Sequence, residues 1–206
     1  MAIPEASLPA GLLLAAGASQ RLGQPKQLLR YHGQPLVRRA ARLLLSLGLP
    51  GVSVVTGSSA TRVESALEGL SVQQVRNEAW AAGMGSSISS GVRSIGREPL
   101  GVLILLCDQW RLDADDLWRL LHGWHSDISQ LVVSESGAES GPEQGPPVIF
   151  PRSLFHELEQ LNPQDGAKQV IRRHSGMALP VRLENAAFDL DTPAHLEALR
   201  GHEKRD

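Results

Sequence analysis

The chain has 206 residues, 42% hydrophobic and 20% charged, with a formal net charge of −2. That length supports one substantial core, and the near-neutral balance gives no global attraction for polyanions, so neither nucleic acid nor a membrane surface is expected as a partner. No apolar run approaches the roughly 20 residues that span a bilayer, and the single cysteine, Cys107, excludes a disulfide framework and a multi-cysteine zinc site while fitting a reducing cytoplasm.

In chain order, the first element is an apolar strand at 11–15. It runs directly into a loop of small residues, Ala16-Gly17-Ala18-Ser19, followed by the cations Arg21 and Lys26. Backbone N–H groups in such a loop approach phosphate oxygens closely because no bulky side chain intervenes, and the cations supply local positive charge. The loop matches neither Gly-x-x-x-x-Gly-Lys-Ser/Thr nor Gly-x-Gly-x-x-Gly, so a third kind of nucleotide loop is required. Residues 8–14 before Ala16-Gly17-Ala18 also have the outline of a secretory signal. However, Met1 to Pro9 carries no Lys or Arg, and Pro4 and Pro9 interrupt the apolar stretch, so export is not expected.

Residues 36–47 place Leu36, Ala40, Leu43, Leu44 and Leu47 on one stripe and predict a crossover helix ending at Gly48. Strands follow at 52–56, 72–75, 102–106 and 131–134, with helical periodicity at 61–67 and 86–95 between them. Strands alternating with helices imply a mostly parallel sheet with helices on both faces. Asp113 is a candidate N-cap, with acids in the first turn of the helix it opens. Residues 135–147, rich in Gly, Ser, Glu and Pro, read as a long mobile loop, either a lid or an expanded connection. A strand at 148–150, helices at 153–161 and 167–173, and a last helix opening with Pro193 after Thr192 complete the pattern. The tail from Arg200 is expected to fray.

Several constellations could carry chemistry. Asp108 directly follows a strand that is apolar on both faces. At the carboxyl edge of an open parallel sheet it would face the Gly17 loop, where a carboxylate opposite a triphosphate suggests Mg²⁺. A plain strand-end cap explains it equally well. Cys107 beside it reads as a small core residue. Asp189 and Asp191 share one side of an extended segment and could approach one cation, although Asp191 or Thr192 could simply cap the last helix; Asp189 is the better metal candidate. The segment from Asn77 through Gly83-Met84 to Ser86-Ser87 leads into a helix whose start could meet a base or sugar, or could be an ordinary cap. Gly166-Ala167-Lys168, preceded by Asp165, is a further helix start that could meet an anion, although an exposed cap is the commoner outcome. His122 and His125 have no companions at zinc spacing, no Gly-x-Ser-x-Gly elbow is present, and the four tryptophans are too scattered for a nucleic-acid stacking platform.

Taken in order, these motifs resemble those of the molybdopterin-dinucleotide-forming nucleotidyltransferases, and most closely the molybdenum cofactor cytidylyltransferases. The resemblance runs through Leu14-Ala15-Ala16-Gly17-Ala18-Ser19-Gln20-Arg21-Leu22-Gly23 with Lys26, Asn77-Glu78-Ala79-Trp80 with Gly83-Met84 and Ser86-Ser87, and Asp108-Gln109. It continues through Gly145-Pro146-Pro147-Val148-Ile149-Phe150, Asp165-Gly166-Ala167-Lys168 and Asp189-Leu190-Asp191-Thr192-Pro193. It implies an α/β, Rossmann-like nucleotidyltransferase fold in one domain over 1–206, with flexible ends at about 1–10 and 200–206. It implies transfer of CMP from CTP to the phosphate of molybdopterin, with Mg²⁺ as cofactor, in the cytoplasm, and it leaves room for a recipient molybdoenzyme as a partner.

The resemblance also assigns residues. Leu14, Ala15, Ala16, Gly17, Asn77, Gly83 and Ser87 would lie at the nucleotide, Arg21 and Lys26 would hold the triphosphate, and Asp108 with Asp189, less readily Asp191, would bind the metal. Arg21, Lys26 and Asp108 would be the catalytic set. Ala16 implies CTP, because guanylyl-transferring relatives typically carry Gly there. Two departures, Trp110 where Pro is usual and Pro146 where His is frequent, are expected to border the acceptor side. The alternatives are a guanylyltransferase or another phosphate-substrate transferase of the same fold, or a non-catalytic carrier of the cofactor.

Overall fold

The computed structural model describes residues 7–138 and 141–204. β1 (Ala10–Ala15) leads through two short 3₁₀ turns into a small hairpin, β2 (Arg30–Tyr31) and β3 (Gln34–Pro35), followed by α1 (Leu36–Ser46), β4 (Val52–Thr56), α2 (Ala60–Ala66) and β5 (Gln73–Arg76). The chain continues with α3 (Met84–Ile95), β6 (Gly101–Leu106), α4 (Ala114–Ser126), β7 (Leu131–Ala138), β8 (Gly141–Pro151), α5 (Phe155–Glu159), α6 (Ala167–Arg173), β9 (Ala178–Arg182) and α7 (Pro193–Glu203).

The seven-stranded sheet has the order β5-β4-β1-β6-β8-β7-β9. All neighbours are parallel except where β8 runs against β6 and β7. This is the α/β, Rossmann-like architecture expected from the sequence. Alternation along the strands sorts the core into two layers. Leu13, Ala15, Leu103 and Leu105 pack with Val37 and Leu44 of α1 and Leu117, Leu121 and Trp124 of α4. Leu12, Leu14, Ala16 and Ile104 pack with Ile88 and Val92 of α3, Phe155 and Leu158 of α5, and Val170 of α6. Both faces of the sheet are therefore covered, and polar chemistry is left to its edges.

α4 starts at Asp113 as expected: its carboxylate accepts from Asp116 N–H at 2.9 Å, and Asp116 accepts from Asp113 N–H at 3.3 Å. Thr192 caps α7, accepting from His195 N–H at 3.3 Å, with Pro193 in the first turn.

Three expectations change. Residues 135–138 and 141–147 are not a loop: they extend β7 and β8 as paired antiparallel strands, Ser134 with Gly145 and Glu135 with Gln144, while 139 and 140 lie outside the described residues. Composition misleads here because the prolines of this half of β8 need satisfy only β7. The register with β6 stops at Val148, and a missing N–H is tolerated where one side of a strand has no neighbour. The tail also differs. The chain is helical to Glu203, with Tyr31 Oη 2.8 Å from His202 Nδ1 and His32 N–H donating to Glu203 at 2.6 Å; the outermost part of the expected flexible ends lies outside the described residues. Finally, β9, which no periodicity signalled, adds a parallel edge beside β7 despite Pro180.

Candidate active site

Because β1, β4, β5 and β6 are parallel, their carboxyl ends share one sheet edge, and a cleft of about 1080 Å³ opens there. Leu14, Ala15, Ala16, Gly17, Arg21 and Lys26 line one side. Ser19 adopts φ 54 and its Oγ accepts from Lys26 N–H at 3.1 Å, curling the loop back on itself. Among the described residues the N–H groups of Gly17 and Ala18 donate to no other group of the chain. Such a loop retains donors for an anion.

Gln27, not anticipated from the sequence, is the internal strut of this loop. It is buried and donates to the carbonyls of Ala15 at 3.1 Å and Gly17 at 2.6 Å. Its only signal is adjacency to Lys26.

Lys26 is the centre of the charged cluster. Its Nζ donates to Asp108 Oδ2 and, at 2.7 Å, to Asp191 Oδ1, while Arg21 donates to Asp191 Oδ2 at 2.8 Å. Burial opposes the ammonium, but the Asp108 carboxylate outweighs it with help from Asp191, and the Lys26 pKa rises above its ordinary value. Asp191 therefore serves as counter-ion to both cations; burial raises its pKa, but Lys26 and Arg21 pull it lower overall.

Asp189 is placed differently. A β-bridge between Gln109 and Asp189 sets its segment against the end of β6, and Asp189 Oδ1 is buried without a hydrogen-bond partner. Burial first, then the charges of Asp108 and Asp191, push its carboxyl up to about 7 from an ordinary 3.8. An orphaned carboxylate oxygen beside a second carboxylate is a donor set for a hard divalent cation such as Mg²⁺, which takes few protein ligands and completes its shell with phosphate and water. Among the described residues no group of three or more His, Cys, Asp or Glu has metal-holding geometry.

Gly83 and Ser87 also line the cleft, but Asn77 does not. Asn77 is buried behind the wall, donating to Ser86 Oγ at 2.8 Å and Ser87 Oγ at 3.0 Å and accepting from Ala79 N–H at 3.0 Å. Its amide shapes the turn that presents Ser87. Gly83 adopts φ 131, and a Cβ there would sit 2.2 Å from the Pro163 carbonyl oxygen. Gly83→Ala should therefore lower stability by about 2 kcal/mol or more, read as a shift in denaturant midpoint; an unchanged midpoint would refute the close approach.

Of the two departures, Pro146 lines the cleft, its carbonyl accepting from Gln109 Nε2 at 2.7 Å. Trp110 does not. It is buried in a third cluster with Tyr31, Leu36, Leu190 and Leu199, where it fills the space between the β2–β3 hairpin and α7. Trp110 thus backs the Asp189–Asp191 segment instead of bordering a substrate. Lys168 reaches across the cleft to Glu143 of β8, joining α6 to that strand. Cys107 is buried, and burial with the neighbouring Asp108 charge pushes its thiol up, as suits a core residue and not a nucleophile.

Paired cations, a small-residue loop with spare N–H donors and two carboxylates around one cleft are suited to orienting a triphosphate and taking up charge as it is cleaved. A domain family described as MobA-like NTP transferase domain matches residues 11–178. The chain is 39% identical over 165 residues to a protein named nicotine blue oxidoreductase from Paenarthrobacter nicotinovorans, covering 79% of this chain and 80% of that one. It is 27% identical to a probable molybdenum cofactor guanylyltransferase of Rhodopirellula baltica, covering 95% and 94%. In fold it is similar to the rv0371c homologue from Mycobacterium sp. strain JC1, with a TM-score of 0.83 at 24% identity over 98% and 99% of the two chains. The chain is a nucleotidyltransferase and belongs to the family of MobA-like NTP transferase domains.

Proposed function

We propose that this protein transfers CMP from CTP to the terminal phosphate of molybdopterin, releasing pyrophosphate, and that residues 1–206 act in this as one domain. The observation that carries the choice of CTP is Ala16, which lines the cleft at the position where a guanylyl enzyme would carry glycine. The name of the Rhodopirellula relative supports the acceptor class, although it is named for guanylyl transfer.

In this reading Lys26 and Arg21 exchange Asp191 for the triphosphate oxygens, and the N–H groups of Gly17 and Ala18 cradle them. Asp108 and Asp189 would hold Mg²⁺, which supplies charge neutralisation across the phosphates when bound. The acceptor phosphate has its second pKa near 6 and is largely dianionic at neutral pH, so no side chain need remove a proton. An oxygen of that phosphate attacks the α-phosphorus of CTP in line; the bond from the α-phosphorus to the bridging oxygen breaks, and both electrons leave with pyrophosphate. Lys26 and Arg21 stabilise the charge that develops.

The test is pyrophosphate release from CTP or GTP with molybdopterin and Mg²⁺. CTP turnover with molybdopterin supports the reading, and preferential GTP turnover overturns it. A second reading, redox chemistry, has the name of the Paenarthrobacter relative behind it. It predicts a redox change in added nicotine blue with no pyrophosphate from either nucleotide. A carrier would bind molybdopterin tightly and release none.

A further inference from the structure

The turn after β4 meets the phosphate loop with no space to spare. Ser58 N–H donates to the Ala16 carbonyl at 3.0 Å, fastening the turn to the loop. A Cβ built on Gly57 would lie 2.5 Å from Trp80 Cβ, 2.8 Å from Trp80 Cγ and 2.9 Å from Ala16 Cβ. None of these is the far end of a flexible side chain, so Ala16 and Trp80 meet across the bare backbone of Gly57. Both line the cleft, as do Gly83 and Ser87. Trp80 is itself anchored: its N–H donates to Asn77 O at 3.3 Å, its carbonyl accepts from Gly83 N–H at 3.2 Å, and its ring packs against the second core layer.

Resting on the cytidylyl reading, we propose that Trp80, seated against Gly57, is a specificity-determining residue that together with Ala16 sets the width of the nucleobase end of the cleft, admitting a one-ring pyrimidine triphosphate and rejecting a two-ring purine.

The physical reason is that a single methyl discriminates only if it cannot retreat. An added carbon in a pocket is worth about tenfold to a few hundredfold in selectivity, and less where the wall yields. Movement of Ala16 toward β4 is blocked by the Ser58 hydrogen bond and by the Gly57–Trp80 contact. The glycine is needed for the wall to exist, because any side chain at position 57 would drive Trp80 and Ala16 apart. None of the three residues belongs to the charged cluster, so the device selects the base without touching the phosphate chemistry.

Equilibrium titration of the full chain with Mg²⁺-CTP and Mg²⁺-GTP tests this without needing an acceptor. The wild type should favour CTP by about tenfold or more; Trp80→Ala and Gly57→Ala should each cut that ratio at least about fivefold, and Trp80→Phe should keep it within about twofold. Should Trp80→Ala fail to fold, Trp80→Leu carries the same expectation while keeping an apolar group in the core. A wild type with no preference for CTP overturns the cytidylyl reading and this inference with it. A wild type that prefers CTP, with ratios unchanged in folded Trp80 and Gly57 variants, overturns the wall alone.

Discussion

Lys26→Ala should lower turnover about 100- to 1000-fold, the usual cost of removing one charged donor from the site where charge develops. Two effects combine. The variant loses the ammonium that would follow the triphosphate through the transition state, and it strands Asp108, whose side chain is only 7% exposed, beside Asp191 and Asp189 with no neighbouring Lys26 cation. The second effect should lower stability as well, because a buried charge deprived of its partner is expensive. Lys26→Arg keeps the charge and separates the two: its stability should stay near that of the wild type while turnover still falls, since a planar guanidinium cannot place its donors where the ammonium bridged Asp108 and Asp191. Initial rates of pyrophosphate release and a denaturant melt on both variants check this. Near-normal turnover in Lys26→Ala would remove Lys26 from the machinery.

The second large effect belongs to Asp189 and depends on pH. Its carboxyl is raised from an ordinary 3.8 to about 7, so it binds a proton more tightly in the folded chain than in the unfolded one. The sign follows from linkage: the associated stability is fully present below about pH 3.8 and is lost as pH rises through about 7. At pH 8 without metal the wild type carries an ionised, crowded carboxylate. Asp189→Asn keeps a neutral group there and should melt about 2–4 °C higher, the shift that roughly 1 kcal/mol makes in a chain of this size. The difference should vanish toward pH 4. Millimolar Mg²⁺ should raise the wild-type melting temperature at pH 8 and much less at pH 5.5, where the ion must displace a proton, and should do little for Asp189→Asn at either pH. Equal stabilisation of wild type and variant by Mg²⁺ would show that Asp189 is not a ligand. Turnover in Asp189→Asn should fall steeply despite the higher melting temperature, a pairing that general loss of structure cannot produce.

How much of this was legible in advance depended on the range of the interaction. The strand at 11–15, the helix stripe from Leu36, the Asp113 cap and Thr192-Pro193 are local patterns, and each stands where its residues predicted. Residues 135–138 and 141–147 misled because Gly, Pro and Ser report local backbone preference, whereas their conformation is decided by the pairing of β7 with β8. Trp110 looked like a substrate-side departure only because its neighbours in sequence, Asp108 and Gln109, face the cleft; its true neighbours, Tyr31, Leu190 and Leu199, come from both ends of the chain.

By itself the sequence determined the class of fold, the small-residue loop at the end of β1 and the identity of the charged residues that could meet a triphosphate. These depend on periodicity and on residue types within a few positions of one another. Only the tertiary structure decided how the charges are shared: Asp191 neutralises Lys26 and Arg21 while Asp189 keeps an unpartnered oxygen, although the two stand two residues apart on the same segment. It also decided that Ala16, Gly57 and Trp80 form one wall, drawn from three separate stretches of chain. Spacing along an extended segment treats Asp189 and Asp191 alike; burial and the placement of Lys26 from a distant loop distinguish them, because the energy of a carboxylate depends on what surrounds it in space.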